Sequence, residues 1–479
     1  MFGNHKQTTN SLVHQSGEHP AGRRPLRIHF VGIGGIGMSG IAELLINLGY
    51  AVSGSDMNES STTRHLRKMG GLIDIGHAAS QVDDQDVVVV SSAIPAKNPE
   101  VVSARRLGIP VIPRAEMLAE LMRLKKGIAI AGSHGKTTTT SLVSAMLFDG
   151  GRDPTVVIGG KVNSFGSTSR LGAGEYLVAE ADESDGSFMK LAPIFAAVTN
   201  IDPEHLDHYG SFDNLKQAFV DFLNGVPFYG FGILCLDSDH VQGIIPQLEK
   251  RYRTYGTHAQ ADYMVSDIRA DGMSMCFSVT RRGETIRDLR LNMIGTHNVL
   301  NATAAIVVAE ALGVTESSYR QSLASFSGVQ RRFTLVGEHE GVSYVDDYAH
   351  HPKEIEMTLA GARRAFSTGR IHAVFQPHRY SRFTSLQEDF SRAFYNADHV
   401  YVLPVYAAGE AAEPDCTPVD IARSIRKYGH RHVEGVADFS EIETVLSDRV
   451  KPGDLVIALG AGSVGNTLRD YVNRSFPPS

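Results

Sequence analysis

Residues 127–147 read GIAIAGSHGKTTTTSLVSAML. A short apolar run enters a turn punctuated by glycine and leaves through a stretch of helical character, the strand, turn and helix of a parallel α/β unit. Such a turn aims backbone N–H groups and the positive end of a helix at an anion. Residues Gly132, Ser133, His134, Gly135, Lys136, Thr137 and Thr138 therefore form a candidate nucleotide-phosphate loop. Lys136 is expected to reach the β and γ phosphates, and the Thr137 hydroxyl to ligate Mg²⁺. Ile130 stands where the full P-loop pattern has its first glycine, which leaves Gly132 to make the turn. The bland alternative is a tight turn carrying a solvated lysine.

Working outward, short apolar strands alternate with amphipathic helices from residue 26 to the end, and 479 residues should divide into about three domains. An apolar content of 42% with 21% charged residues is ordinary for a soluble globular protein. The net charge of −7 with no basic face argues against nucleic acid and for small anions held locally. Cys235, Cys276 and Cys416 are scattered without metal-ligand spacing, as expected in a reducing cytoplasm. No apolar run suits a membrane span or a secretory signal, and residues 1–25 are expected to be a mobile tail.

A second glycine-rich turn, VGIGGIGMSG at 31–40, carries Gly32, Gly34 and Gly37, and Asp56 follows at a spacing suited to a ribose hydroxyl. Alone, it points to a nicotinamide dehydrogenase. The same glycine spacing recurs at Gly460, Gly462 and Gly465, which warns against treating it as a dinucleotide signature.

Other candidates lie where strands end, the ligand-binding edge of open α/β sheets. Glu180 closes YLVAE and is a candidate Mg²⁺ ligand. Asp202 followed by Pro203 predicts a helix start with Glu204 and His205 in its first turn. VDDYAHHP at 345–352 places Asp346, Asp347, Tyr348, His350 and His351 at a strand end. QPHRYSR at 376–382 does the same for His378, Arg379 and Arg382, whose guanidinium forks suit carboxylate or phosphate. Each group is also compatible with a solvated loop.

Together, GIGGIGMSGIAE, GSHGKTTTTS, EADESDGSF, NIDPEHLDHYG, GTHNVLNATAA, GVQRRF, VDDYAHHP and FQPHRYSR occur in an order that closely resembles the Mur ligase family, from about residue 25 to the end. The resemblance implies three α/β domains: a Rossmann-like UDP-binding domain at 26–124, a central P-loop ATPase-type domain at 125–328, and a Rossmann-like C-terminal, amino-acid-binding domain at 329–479. It implies a cytoplasmic ATP-dependent ligase of peptidoglycan synthesis that activates the lactyl carboxylate of UDP-N-acetylmuramate as an acyl phosphate and joins it to L-alanine. Gly34, Gly35, Asp56, Ser91 and Ser92 would contact the UDP-sugar, whose pyrophosphate removes the need for a nicotinamide. Thr137, Glu180 and His205 would hold Mg²⁺, two ions in all, with His297, Asn298 and Arg332 on ATP. Tyr348, His350, Arg379 and Arg382 would serve the amino acid, and Lys136, His205, His350, Arg379 and Arg382 the chemistry. Where several relatives have a carbamoylated lysine this chain has Val220; Lys216 is nearby but is not assigned that role. The resemblance leaves a tripeptide-recycling ligase of the same family as the near alternative, and an ATP-gated binding protein or a dehydrogenase as distant ones. A monomer or weak homodimer is expected.

Overall fold

The computed structural model describes residues 25–91, 93–158 and 169–476. The expected N-terminal tail (save Pro25) and Ser92 lie outside them. The described chain forms two compact units, one running to Tyr255 with Ala304–Tyr319 added, the other comprising Gly256–Thr303 and the residues from Arg320 onward.

The first unit contains an all-parallel five-stranded sheet in the order Leu72–Ile75, Ala51–Asp56, Arg27–Val31, Val87–Val90, Val111–Pro113. This order reverses direction beside Arg27–Val31, and the glycine-rich turn leaves that strand at its carboxyl end, the topological position at which open α/β sheets bind ligands. Its second layer of structure is another mainly parallel sheet. From one side it runs Tyr252–Gly256, Phe231–Cys235, Phe195–Val198, Lys126–Ala131, Tyr176–Glu180 and Thr155–Val157, with the short antiparallel strand Ser169–Arg170 at the edge. Strands covered on both faces read as continuous apolar runs, and KGIAIA and FAAV do so, with Ile128, Ala129, Ile130, Ala131 and Ala196 inaccessible to solvent. One apolar cluster joins the two sheets through the helix Arg114–Arg123, whose Met117, Leu118, Leu121 and Met122 are buried.

The second unit carries an antiparallel meander, Tyr263–Asp271, Ser274–Arg281 and Glu284–Leu291. It also holds a six-stranded sheet in the order Thr334–His339, Val342–Asp347, Leu455–Leu459, Ile371–Phe375, His399–Val402, Val433–Gly435. The first of these strands runs antiparallel to its neighbour; the others pair in parallel. The helix Thr296–Ala311 begins directly after Gly295.

Candidate functional site

Gly132 and Gly135 adopt positive φ (124° and 82°), which turns the chain sharply between the strand Lys126–Ala131 and the helix Lys136–Asp149. A Cβ on Gly132 would lie 2.2 Å from Thr199 Oγ1, so the position accepts no side chain. The segment after Phe195–Val198 braces the turn. Asn200 Oδ1 accepts from His134 N at 2.8 Å, Asn200 Nδ2 and Thr199 Oγ1 donate to His134 O at 3.0 and 2.6 Å, and Ser133 Oγ accepts from Asp202 N at 2.8 Å. The loop is thus built before any ligand arrives, which lowers the ordering cost of gripping a phosphate.

Lys136 Nζ donates to Gly132 O at 2.6 Å and Ser133 O at 3.1 Å, and lies 3.0 and 2.9 Å from the two oxygens of Glu183. Burial alone would depress this ammonium, but the carboxylates of Glu183, Asp182 and Glu204 outweigh it and hold the group above its ordinary range. Glu183 is pushed up to about 7, by burial first and then by Asp182, with Lys136 opposing. The lysine stays charged, while its partner carboxylate can shed or take a proton near neutrality.

Glu183, Glu204 and His205 bring ligand atoms within 4.8 Å of one another. His134 Nε2 lies 3.1 Å from Asp202 Oδ2 and 3.4 Å from Glu204 Oε1, and His205 Nε2 lies 3.7 Å from Glu204 Oε2. The expected helix start at Asp202 is corrected: His205 is itself the cap, in the left-handed region at φ 56°, and the helix is only Leu206–Tyr209. That backbone reversal keeps Glu204 and His205 out of a helical turn and puts them beside Glu183. Glu180 ends its strand in register with Ile130, one residue before the loop-bearing strand ends, and Thr137 is the second residue of the loop's helix. Lys216 is engaged with Asp213 at 2.6 Å and Val220 is buried.

In the N-terminal turn Gly34 N donates to Asp56 Oδ2 at 2.8 Å, and the other oxygen, Oδ1, accepts from Asn58 N at 3.3 Å. Asp56 therefore shapes the turn as well as facing it. Gly35 caps the helix Ile36–Asn47, and Ser91 O closes a turn onto Ile94 N at 3.1 Å.

The second unit gathers a polar cluster of its own residues. Asp347, at the end of its strand, accepts from Phe333 N and Ala349 N, each at 2.7 Å, and burial raises it to about 6. His350 Nδ1 faces Tyr348 O at 3.0 Å and Glu354 Oε2 at 3.3 Å. Both neighbours accept, which assigns the proton to Nδ1 and leaves the lone pair on Nε2. Burial, aided by Arg382 and Arg332, lowers His350 to about 4 against the pull of Glu354. The rings of His350 and His378 lie 5.9 Å apart, Arg382 Nη1 donates to His378 Nδ1 at 3.4 Å, and the guanidiniums of Arg331 and Arg332 lie 4.8 and 5.4 Å from the centre of the Tyr348 ring. Arg379 sits at φ 69° as the cap of the helix Tyr380–Ser385, so Arg382 projects from a helix and not from a loop. Asn298 is buried, with its amide donating to Ile294 O at 2.8 Å, and His297 packs over Gly295.

The repeated glycine turn at 460–465 is filled by protein. Gln376 Oε1 accepts from Val464 N at 3.1 Å, and Arg331 Nη2 donates to Gly460 O at 2.6 Å and Gly462 O at 3.2 Å. A Cβ on Gly465 would lie 2.1 Å from Asp346 Oδ1, so this glycine admits a buried aspartate and not a dinucleotide.

Sequence reasoning passed over Glu183, Asn200, Arg331 and Glu354. Glu183 lay in the quoted run EADESD, where its neighbours in the acidic cluster were the available signal.

Residues 27–126 match the Mur ligase family, catalytic domain; residues 130–309 the Mur ligase middle domain; and residues 331–462 the Mur ligase, glutamate ligase domain. The chain belongs to the Mur ligase family and has its three domains. It is 55% identical over 441 residues to the UDP-N-acetylmuramate--L-alanine ligase of Anaeromyxobacter dehalogenans, covering 92% of this chain and 96% of that one. It is 53% identical to the enzyme of the same name from Myxococcus xanthus, covering 92% and 93%. Among solved structures, UDP-N-acetylmuramate-alanine ligase from Thermotoga maritima superposes with a TM-score of 0.79 at 30% identity, covering 94% of this chain and 99% of that one. A murein peptide ligase from Psychrobacter arcticus gives 0.68 at 23% identity, over 95% and 99%.

Proposed function

We propose that this chain is an ATP-dependent ligase that joins L-alanine to the lactyl carboxylate of UDP-N-acetylmuramate, releasing ADP and phosphate in peptidoglycan precursor synthesis. The observation that carries the reading is the preformed turn Gly132–Lys136 at the start of the helix Lys136–Asp149, with Lys136 held charged against the turn and beside Glu183. The alanine ligases match at 52 to 55% identity along almost the whole chain, whereas the murein peptide ligase matches at 23%. The single amino acid is thereby favoured over the tripeptide.

A carboxylate resists amide formation because its leaving group would be oxide. Transfer of the γ-phosphoryl group makes an acyl phosphate, and the leaving group becomes phosphate. The obstacle is repulsion between two anions, which Lys136 offsets while the helix end at Lys136–Asp149 fixes the line of attack. Glu183, Glu204 and His205 would hold Mg²⁺, with Thr137 and Glu180 completing the set; their mainly carboxylate and hydroxyl donors suit a hard cation. Bound there, Mg²⁺ would supply further charge neutralisation of the phosphates.

In the second step the amine of alanine attacks the acyl carbon, the nitrogen becomes positively charged, and a proton must leave it. His350 takes that proton at Nε2, since Asp347 already accepts two backbone N–H groups. Arg379 and Arg382 hold the amino acid's carboxylate, Arg332 and Tyr348 flank it, and His297 and Asn298 serve the adenine. Gly34, Gly35, Asp56 and the turn at Ser91 take the UDP portion. The domain boundaries at 26–124, 125–328 and 329–479, a cytoplasmic location and a monomer or weak homodimer belong to the same reading. ADP release with each substrate omitted in turn tests it: a ligase needs UDP-N-acetylmuramate, alanine and ATP together, and release without the sugar would contradict the assignment.

A further inference from the structure

Arg379 holds a backbone conformation that an arginine rarely adopts. At φ 69° and ψ 135° it lies where a residue with a Cβ is strained, and as the cap of Tyr380–Ser385 it makes no side-chain hydrogen bond to that helix. Its guanidinium is exposed and, among the described residues, makes no hydrogen bond. Strain of this kind persists only where the surroundings over-determine it. Here the surroundings are one loop, Tyr406–Glu410.

That loop grips the arginine in three ways. Tyr406 N donates to Pro377 O at 2.8 Å and Arg379 N donates to Tyr406 O at 2.9 Å, a two-way backbone clamp around His378. The Tyr406 ring stacks on the His378 ring, with centroids 5.5 Å apart and planes 12° from parallel. Glu410 supplies the cap that Arg379 does not: its Oε2 accepts from Ser381 N at 3.1 Å and its Oε1 from the Ser381 hydroxyl at 2.6 Å. A tight turn brings Glu410 there, with Ala408 and Gly409 at φ 49° and 91° and Glu410 N donating back to Ala407 O at 3.0 Å.

The same carboxylate balances charge. The first turn of a helix is positive, and Arg379 and Arg382 add two cations beside it; after burial, these two arginines are what lowers His378. Glu410 is held below its ordinary range: burial would raise it, but its bonds from Ser381 and Tyr380, and then the charge of Arg379, prevail.

We infer that Glu410 is a positioning residue for amino-acid recognition: by capping Tyr380–Ser385 from outside, it holds Arg379 in its strained backbone so that the guanidinium meets the carboxylate of L-alanine. This role rests on the proposed ligation, in which Arg379 takes that carboxylate. A guanidinium fork makes its paired contacts only in a fixed orientation, so loss of Glu410 should weaken alanine and spare the other substrates.

The test is steady-state kinetics of the full chain and its Glu410→Ala, Glu410→Gln and Ser381→Ala variants, with L-alanine, ATP and UDP-N-acetylmuramate varied in turn and thermal midpoints measured alongside. Glu410→Ala should raise KM for L-alanine about 10-fold, the scale of one lost hydrogen bond to a charged group, and leave kcat and the other two KM values within about twofold of wild type. Glu410→Gln, whose amide oxygen still accepts from Ser381 N, should recover part of the loss, and Ser381→Ala should reproduce a fraction of it. In an Arg379→Lys background Glu410→Ala should add less than about threefold, because residues that act through one contact are not additive. An unchanged KM for L-alanine in Glu410→Ala overturns the role, as does full additivity with Arg379→Lys. A parallel loss for all three substrates with a lower thermal midpoint would mark a merely structural carboxylate and overturn it too. Should Glu410→Ala not fold, KM for L-alanine in Glu410→Gln and Ser381→Ala decides in the same way. A wild-type chain that releases no ADP in response to alanine removes the ligase reading itself, whereas wild-type turnover with unaffected variants removes only the role of Glu410.

Discussion

Lys136 Nζ lies within 3.0 Å of both carboxylate oxygens of Glu183, so the ammonium that must meet the triphosphate is already held by a buried acid. The pair is asymmetric. Lys136 is kept charged by three carboxylates, while burial brings Glu183 to about 7. Replacing Lys136 by Met should reduce ADP formation by at least ~10²-fold, the scale for deleting one preorganised charge-stabilising donor, and leave binding of the UDP-sugar intact. It should also lower the thermal midpoint, because removing one partner strands the other. Adding Glu183→Gln should restore part of that midpoint but none of the activity; recovery of turnover in the double variant would refute the role given to Lys136.

Gly132 offers a test confined to backbone geometry. At φ 124°, with Thr199 Oγ1 only 2.2 Å from a Cβ, Gly132→Ala should cost about 1 to 3 kcal/mol in local strain. The expected result is a higher KM for ATP with little change in affinity for the UDP-sugar. Wild-type ATP kinetics would mean that the turn does not carry the nucleotide.

Two neighbouring residues of the second unit should separate by kinetics. His350→Gln should lower kcat by about 10²- to 10⁴-fold, the range for a general base. Asp347→Asn should act mainly on stability, since both of its oxygens accept backbone N–H groups. If the Asp347 variant loses turnover at unchanged stability while His350→Gln keeps it, the base has been misassigned.

Acid should destabilise the protein. His350, His378 and His399 are each lowered from 6.5 to about 4, by burial first, with Arg382 and Arg379 adding to it at His378 and His372 and His432 at His399. Each binds fewer protons folded than unfolded between those values, so its contribution is present above pH 6.5 and is lost as pH falls toward 4. Asp347, raised to about 6 from 3.8, works in the opposite sense: its contribution is present below 3.8 and is lost as pH rises through 6. Glu183, raised to about 7 from 4.5, acts in the same sense as Asp347; the three histidines outweigh these two acids between pH 7 and pH 5, so the thermal midpoint should fall over that range, and His399→Gln should flatten that slope. A midpoint that rises on acidification would contradict these assignments.

The strand, turn and helix at 127–147 were legible because glycine, lysine and the apolar spacing all state the same local geometry. The alternation that predicted parallel sheets held for the same reason. The meander at Tyr263–Asp271 to Glu284–Leu291 was not legible: its strands carry bulges and many exposed charged residues, which blur a period of two. The helix start at Asp202–Pro203 failed because a left-handed residue, His205, overrode a local capping signal. Glu183 was visible only as one acid among several, since its pairing with Lys136 depends on two strands meeting side by side. The repeated glycine spacing at 460–465 shows the converse, a legible motif whose ligand position is occupied by Gln376 and Arg331.

The central claim is transfer of the γ-phosphoryl group to the lactyl carboxylate. It is tested most directly with UDP-N-acetylmuramate labelled with ¹⁸O in that carboxylate, turned over with ATP and L-alanine, and with the released phosphate analysed by mass. The account predicts one labelled oxygen in each phosphate. Phosphate carrying only unlabelled oxygen would contradict it.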